Sequence, residues 1–150
     1  MATSFLAAVV LALIVAQTAL ACEGSQNLPG QYIDVRFESD SSEIPGTELA
    51  RLSAWSSDLH NRFPILDVVW LAGLSESTEK NAQQLAYRRA ENVMNALDPF
   101  MIKGRRRAFI GRIYQPVPEI DQSGRRVEVN VGPGCPDHCC STSSPTPAGR

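Results

Sequence analysis

The sequence predicts an α+β fold in the order β-α-β-α-β-β, with two helices packed on one face of a mixed sheet. Three observations lead there. Short runs that alternate or are largely apolar lie at residues 32–37, 66–72, 107–110 and 126–131, which is how strands read. Two longer stretches between them carry apolar residues at helical spacing. Each element is bounded by polar, Gly or Pro residues that break regular structure.

The first strand is Tyr32-Ile33-Asp34-Val35-Arg36-Phe37, an alternating run. A polar turn, residues 38–45, follows it. From Thr47, Leu49, Leu52, Trp55, Leu59 and Phe63 form a helical stripe that ends at Pro64. Residues 66–72 are apolar enough for a central strand covered by helices, which Gly73 should close. The second helix is expected from about Thr78 to Leu97, with Ala86, Ala90, Val93 and Leu97 on one buried face. Asp98-Pro99 stops it. Arg107-Ala108-Phe109-Ile110 is the core of a third strand, and residues 126–131 alternate as the last. Trp55 and Trp70 fall within the apolar patterns and read as core. In this order, the loop after the second strand and the start of the second helix share one end of the sheet.

The chain has 150 residues and a net charge of −2, enough for one domain plus ends and without a global field that would attract nucleic acid. Residues 1–21 hold no charged side chain, and an apolar run at 5–16 is short for a membrane span. Ala19-Leu20-Ala21 is a small-x-small cleavage signal, so 1–21 reads as a signal peptide, the alternative being an uncleaved anchor. Export places the mature chain where disulfides persist. Residues 22–30 read as a linker, 31–132 as the folded body, and 133–150 as a Cys-containing tail rich in Pro, Ser and Thr.

Cys22 follows the cleavage signal, and Leu20-Ala21-Cys22 resembles the end of a bacterial lipobox, although Ala19 stands where Leu is usual. Cys22 is therefore a candidate for lipidation, the alternative being ordinary cleavage that leaves it free or in a disulfide. Cys135, Cys139 and Cys140 are candidates for a tail-stapling disulfide. Their spacing with His138 matches no standard zinc pattern, and no metal or cofactor is expected. The two histidines, His60 and His138, stand in no nucleophile–base or metal-triad spacing, so no catalytic residues are expected.

The informative polar stretch runs from Glu76 to Val93, read with Arg125-Arg126-Val127-Glu128-Val129. A carboxylate and a guanidinium on one rim can grip a zwitterion: the acid takes an ammonium, the planar guanidinium a carboxylate. Arg125 and Arg126 alternate along a strand, so at most one faces the rim. For Arg89 the alternative is a surface ion pair with Glu76 or Glu91. The basic run at 103–107 is read as a solvated strand edge, with contact to anionic glycan or lipid headgroups as the alternative.

Five segments in order resemble the OmpA C-terminal-like family of peptidoglycan-binding domains. They are Val35 to Ile44 with its Phe…Asp-Ser…Ile turn, the helix from Leu49 to Leu59, VVWLAGLSE ending at Glu76, LAYRRAENV ending at Val93, and the Arg125-Arg126-Val127-Glu128 motif. The resemblance covers about 31–132 and makes that segment an OmpA-like domain. It implies non-covalent binding of the diaminopimelate stem of peptidoglycan. Glu76 would take the ammonium and Arg89 the carboxylate, with Ser75, Arg125 and Arg126 beside them. It also implies a Gram-negative periplasm or the periplasmic face of the outer membrane, a lipid anchor if Cys22 is acylated, and envelope protein partners. The family's Gly-His-Thr-Asp is here Gly73-Leu74-Ser75-Glu76, the following loop is shorter than usual, and Ala82 stands where the family has Asn. A structural or partner-binding envelope protein that keeps the fold without peptidoglycan affinity is the alternative function.

Overall fold

A computed structural model describes residues 29–118 and 122–135. The signal peptide, Cys22, Cys139 and Cys140 lie outside the described residues, and with them the expectations of cleavage, lipidation and tail stapling. Cys135 is described and buried.

The order is β1 (Gln31–Arg36), α1 (Gly46–Arg62), β2 (Leu66–Ser75), α2 (Ala82–Leu97), β3 (Arg106–Ile113) and β4 (Arg126–Pro133), the expected β-α-β-α-β-β. The sheet runs β1-β4-β2-β3. β4 is antiparallel to both β1 and β2, and β2 is parallel to β3, so the sheet is mixed. The parallel pair requires a crossover, which α2 supplies. The described chain thus has an α+β fold.

The core lies between sheet and helices. On β4, Val127, Val129 and Val131 are buried in strict alternation. They meet Val35 and Phe37 from the β1 side, Leu52 and Leu59 from α1, Val69 and Leu71 from β2, and Val93, Met94 and Leu97 from α2. Each fully buried Val or Leu contributes about 1.5–3 kcal/mol. Leu49, expected in the α1 stripe, is exposed, and Trp55 and Trp70 are half-buried rather than enclosed. α1 begins after Pro45 and ends before Phe63, which is extended as a residue preceding proline must be. It is tied to edge strand β1 by polar contacts: Glu48 accepts the Arg36 N–H at 2.9 Å, and Arg51 donates to the Asp34 carbonyl.

Two boundaries differ from expectation. β2 does not close at Gly73 but continues to Ser75. Gly73 is instead the point where α2 crosses: a Cβ there would stand 2.0 Å from the Ala86 carbonyl oxygen. α2 begins at Ala82 rather than Thr78. Residues 76–81 are held as a turn because the Glu79 side chain accepts the Glu76 N–H, and Asn81 takes a left-handed conformation that no helix interior continues. The basic run lies at the start of β3, an edge strand. There Arg106 pairs with Asp67 and Arg107 with Asp98, each partly in solvent.

Candidate functional site

The end of β2, the turn after β1, the loop into α2 and the segment before β4 meet at one end of the sheet. The expected residues divide there into a buried set and a surface pair.

Arg89 is on the buried face of α2, in line with Leu85, Ala86 and Val93, and has no exposed surface. Its five N–H donors are all used within the chain. Nε donates to the Ser41 carbonyl at 2.8 Å. One terminal nitrogen donates to the Leu74 carbonyl at 3.0 Å and to Glu79 Oε2 at 2.9 Å. The other donates to the Glu38 carbonyl at 2.9 Å and to Glu79 Oε1 at 2.6 Å. The Phe37 ring lies 5.2 Å from the guanidinium carbon. The ion pair of Arg89 is therefore with Glu79, not with Glu76 or Glu91, and it is buried rather than at the surface.

Glu79 is the residue that sequence reasoning missed. Its side chain is 2% exposed. Besides the two Arg89 contacts, Oε1 accepts the Asp40 N–H and Oε2 the Glu76 N–H, both at 2.9 Å. Each oxygen thus has two donors. Burial alone would raise the Glu79 pKa, but hydrogen bonds from Arg89 and from the two backbone N–H groups, with the Arg89 charge, hold it below the ordinary 4.5. A carboxyl depressed in the folded state stabilises the fold above its unfolded pKa and loses that contribution as pH falls through the folded value. Urea midpoints measured from pH 7 downward should therefore decline below about pH 4.5, and the decline should be shallower for Glu79→Gln.

Ser75 is fully buried and donates its hydroxyl to the Ala82 carbonyl at 2.6 Å, joining β2 to the start of α2. Arg126 is 7% exposed. It donates to Glu128 and to the Ser123 carbonyl, both at 2.5 Å, and its guanidinium lies over the Tyr114 ring at 5.0 Å. Glu76 and Arg125 remain at the surface, their side chains 35% and 38% exposed. Arg125 Nε is 3.5 Å from Glu76 Oε1, and the Ser123 hydroxyl donates to the same oxygen at 3.2 Å. Of the five expected site residues, the structure thus brings Glu76 and Arg125 together in reach of solvent and buries the other three, Ser75 and Arg89 on the α2 side of the sheet and Arg126 against Tyr114 and Glu128.

No protein-family model matches the sequence, and no curated protein matches it. Solved structures do match. The OmpA-like domain of FopA1 from Francisella tularensis is 17% identical over 70% of this chain and 73% of its own, with a TM-score of 0.57. The periplasmic domain of Helicobacter pylori MotB is 17% identical over 69% and 76%, at 0.53. The cell wall anchor of the T6SS from Pseudomonas aeruginosa is 20% identical over 82% and 94%, at 0.51. At such identities the likeness is one of fold. The chain has a divergent OmpA-like fold.

Proposed function

We propose that this is an exported cell-envelope protein of the periplasm or outer membrane whose domain binds peptidoglycan non-covalently, as a binding module and not a catalyst. The observation that carries the proposal is the half-exposed Glu76–Arg125 pair at the loop end of an OmpA-like fold. The zwitterionic end of a diaminopimelate stem presents an ammonium and a carboxylate, and Glu76 and Arg125 offer the complementary charges. Ser123 and the Glu79–Arg89 pair hold the rim in place. That a cell wall anchor shares the fold supports the reading.

Co-sedimentation with purified diaminopimelate-type sacculi tests it. The wild-type domain should pellet, and Glu76→Ala and Arg125→Ala should each weaken binding by about tenfold or more, as loss of a charged hydrogen bond does. A wild-type domain that stays in the supernatant overturns the proposal. One observation favours a second reading, an envelope scaffold without peptidoglycan affinity: Arg89, which the resemblance assigns to the ligand carboxylate, is wholly engaged within the chain by Glu79 and by the carbonyls of Glu38, Ser41 and Leu74. Supernatant wild type is the result that reading expects.

A further inference from the structure

The Arg89 cradle has the chemistry of a carboxylate receptor. It offers two parallel N–H donors from one planar guanidinium and two further backbone N–H groups, Asp40 and Glu76, converging on one pair of oxygens. Its walls are the turn after β1, the end of β2 and the loop into α2, which Arg89 also binds through the carbonyls of Glu38, Ser41 and Leu74. None of the described buried side-chain nitrogens or oxygens lacks a partner. The receptor is thus complete and full, and its occupant is a side chain of the same molecule.

We propose that Glu79 is an internal ligand of this receptor. It takes the position an external carboxylate would take, so that carboxylate ligands are excluded from Arg89 while Glu79 is present. The proposal goes beyond the peptidoglycan reading and stands whether or not the domain binds the wall. Within that reading it explains which guanidinium remains for a stem carboxylate, namely the half-exposed Arg125. The occupied cradle also has a mechanical effect. It ties Asp40 and Glu76, which are distant in sequence, through one carboxylate, with Lys80 N–H donating to Asp40 at 2.7 Å as a second tie.

Chemical rescue tests the assignment. Glu79→Ala removes the heavy atoms of an acetate ion and leaves every donor of the cradle in the chain. The thermal midpoint of Glu79→Ala should fall below wild type. It should then rise with the logarithm of acetate concentration, by about 4–8 °C at a few times the acetate dissociation constant, relative to chloride at the same ionic strength. Wild type and Glu79→Gln, whose cradle is filled, should show no such rise, and Glu79→Ala combined with Arg89→Met should lose it. If Glu79→Ala is unfolded in chloride, acetate should restore its far-UV circular dichroism. Equal responses to acetate and chloride in Glu79→Ala, failure of acetate to restore an unfolded variant, or a matching acetate response in wild type would overturn the proposal.

Discussion

Arg89→Ala is expected to lower stability by about 3–5 kcal/mol, the range for removing one partner of a buried ion pair. The reason is what remains. Glu79 would stay in a site where it is 2% exposed, with its two strongest donors gone, and the carbonyls of Glu38, Ser41 and Leu74 would each lose a donor. A typical domain holds only about 5–15 kcal/mol in reserve, so this change consumes much of it. Urea denaturation at pH 7 measures the loss. Arg88→Ala, one position away on the exposed face, should stay within about 0.5 kcal/mol of wild type. Arg89→Lys should not rescue, because an ammonium is a compact charge that cannot span two carboxylate oxygens and three carbonyls. Replacing both partners, Arg89→Met with Glu79→Leu, should be milder than Arg89→Ala alone, since no charge is left unpaired. Equal stability of Arg89→Ala and Arg88→Ala would show that the cradle contributes nothing. The same argument bears on function. Loss of wall binding in Arg89→Ala reports on ligand contact only where the variant is shown to be folded, whereas Glu76→Ala and Arg125→Ala alter half-exposed side chains and test the rim directly.

Much of the fold is legible in the sequence because it rests on periodicity. The alternation of Val127, Val129 and Val131 and the spacing of Ala86, Ala90, Val93 and Leu97 each specify a buried face, and the structure has those faces. The burial of Arg89 is a signal the sequence carries but the rim and surface-pair readings of this residue passed over. It stands three residues after Ala86 and four before Val93, on the stripe itself, so its helical position already points it inward. Its partner is not legible. Glu79 meets Arg89 only because residues 76–81 form a turn rather than helix, and that turn depends on the Glu79 carboxylate reaching back to Glu76 N–H and across to Asp40 N–H. No local propensity encodes a contact between residues 40 and 79. The rim pair is intermediate. Antiparallel pairing of Gly73 with Val127 carries the chain just beyond each toward Glu76 and Arg125, so the sheet topology brings the two together once strand order is known. Strand order comes from the structure, not from periodicity.

Gly73→Ala should destabilise by about 3 kcal/mol, the upper end of overpacking effects, and lower the thermal midpoint by roughly 12–24 °C. Gly73 reads from sequence as a strand terminator, but its neighbours give it another role. An added Cβ would lie 2.0 Å from the Ala86 oxygen, 2.9 Å from Ala90 Cβ and 3.0 Å from Ala90 N. Two of these atoms are helix backbone, so no rotamer change relieves the clash, and α2 must move off the sheet. Gly111, paired with Gly73 across β2 and β3, is similar: its Cβ would meet Tyr87 N at 2.3 Å and Tyr87 Cα at 2.5 Å. Small residues on both sides, the two glycines below and Ala86 and Ala90 above, are what seat α2 closely enough for Arg89 to reach the Leu74 carbonyl and the turn after β1. Gly111→Ala should therefore resemble Gly73→Ala. Gly46→Ala, at the exposed start of α1 with nothing within 4 Å of the new methyl group, should be neutral or stabilising by up to about 1 kcal/mol. Thermal denaturation of the three variants reads the difference. A Gly73→Ala domain that melts with wild type would mean that α2 rides away from β2 without penalty, and the close seating could not then be what holds Arg89 in its cradle.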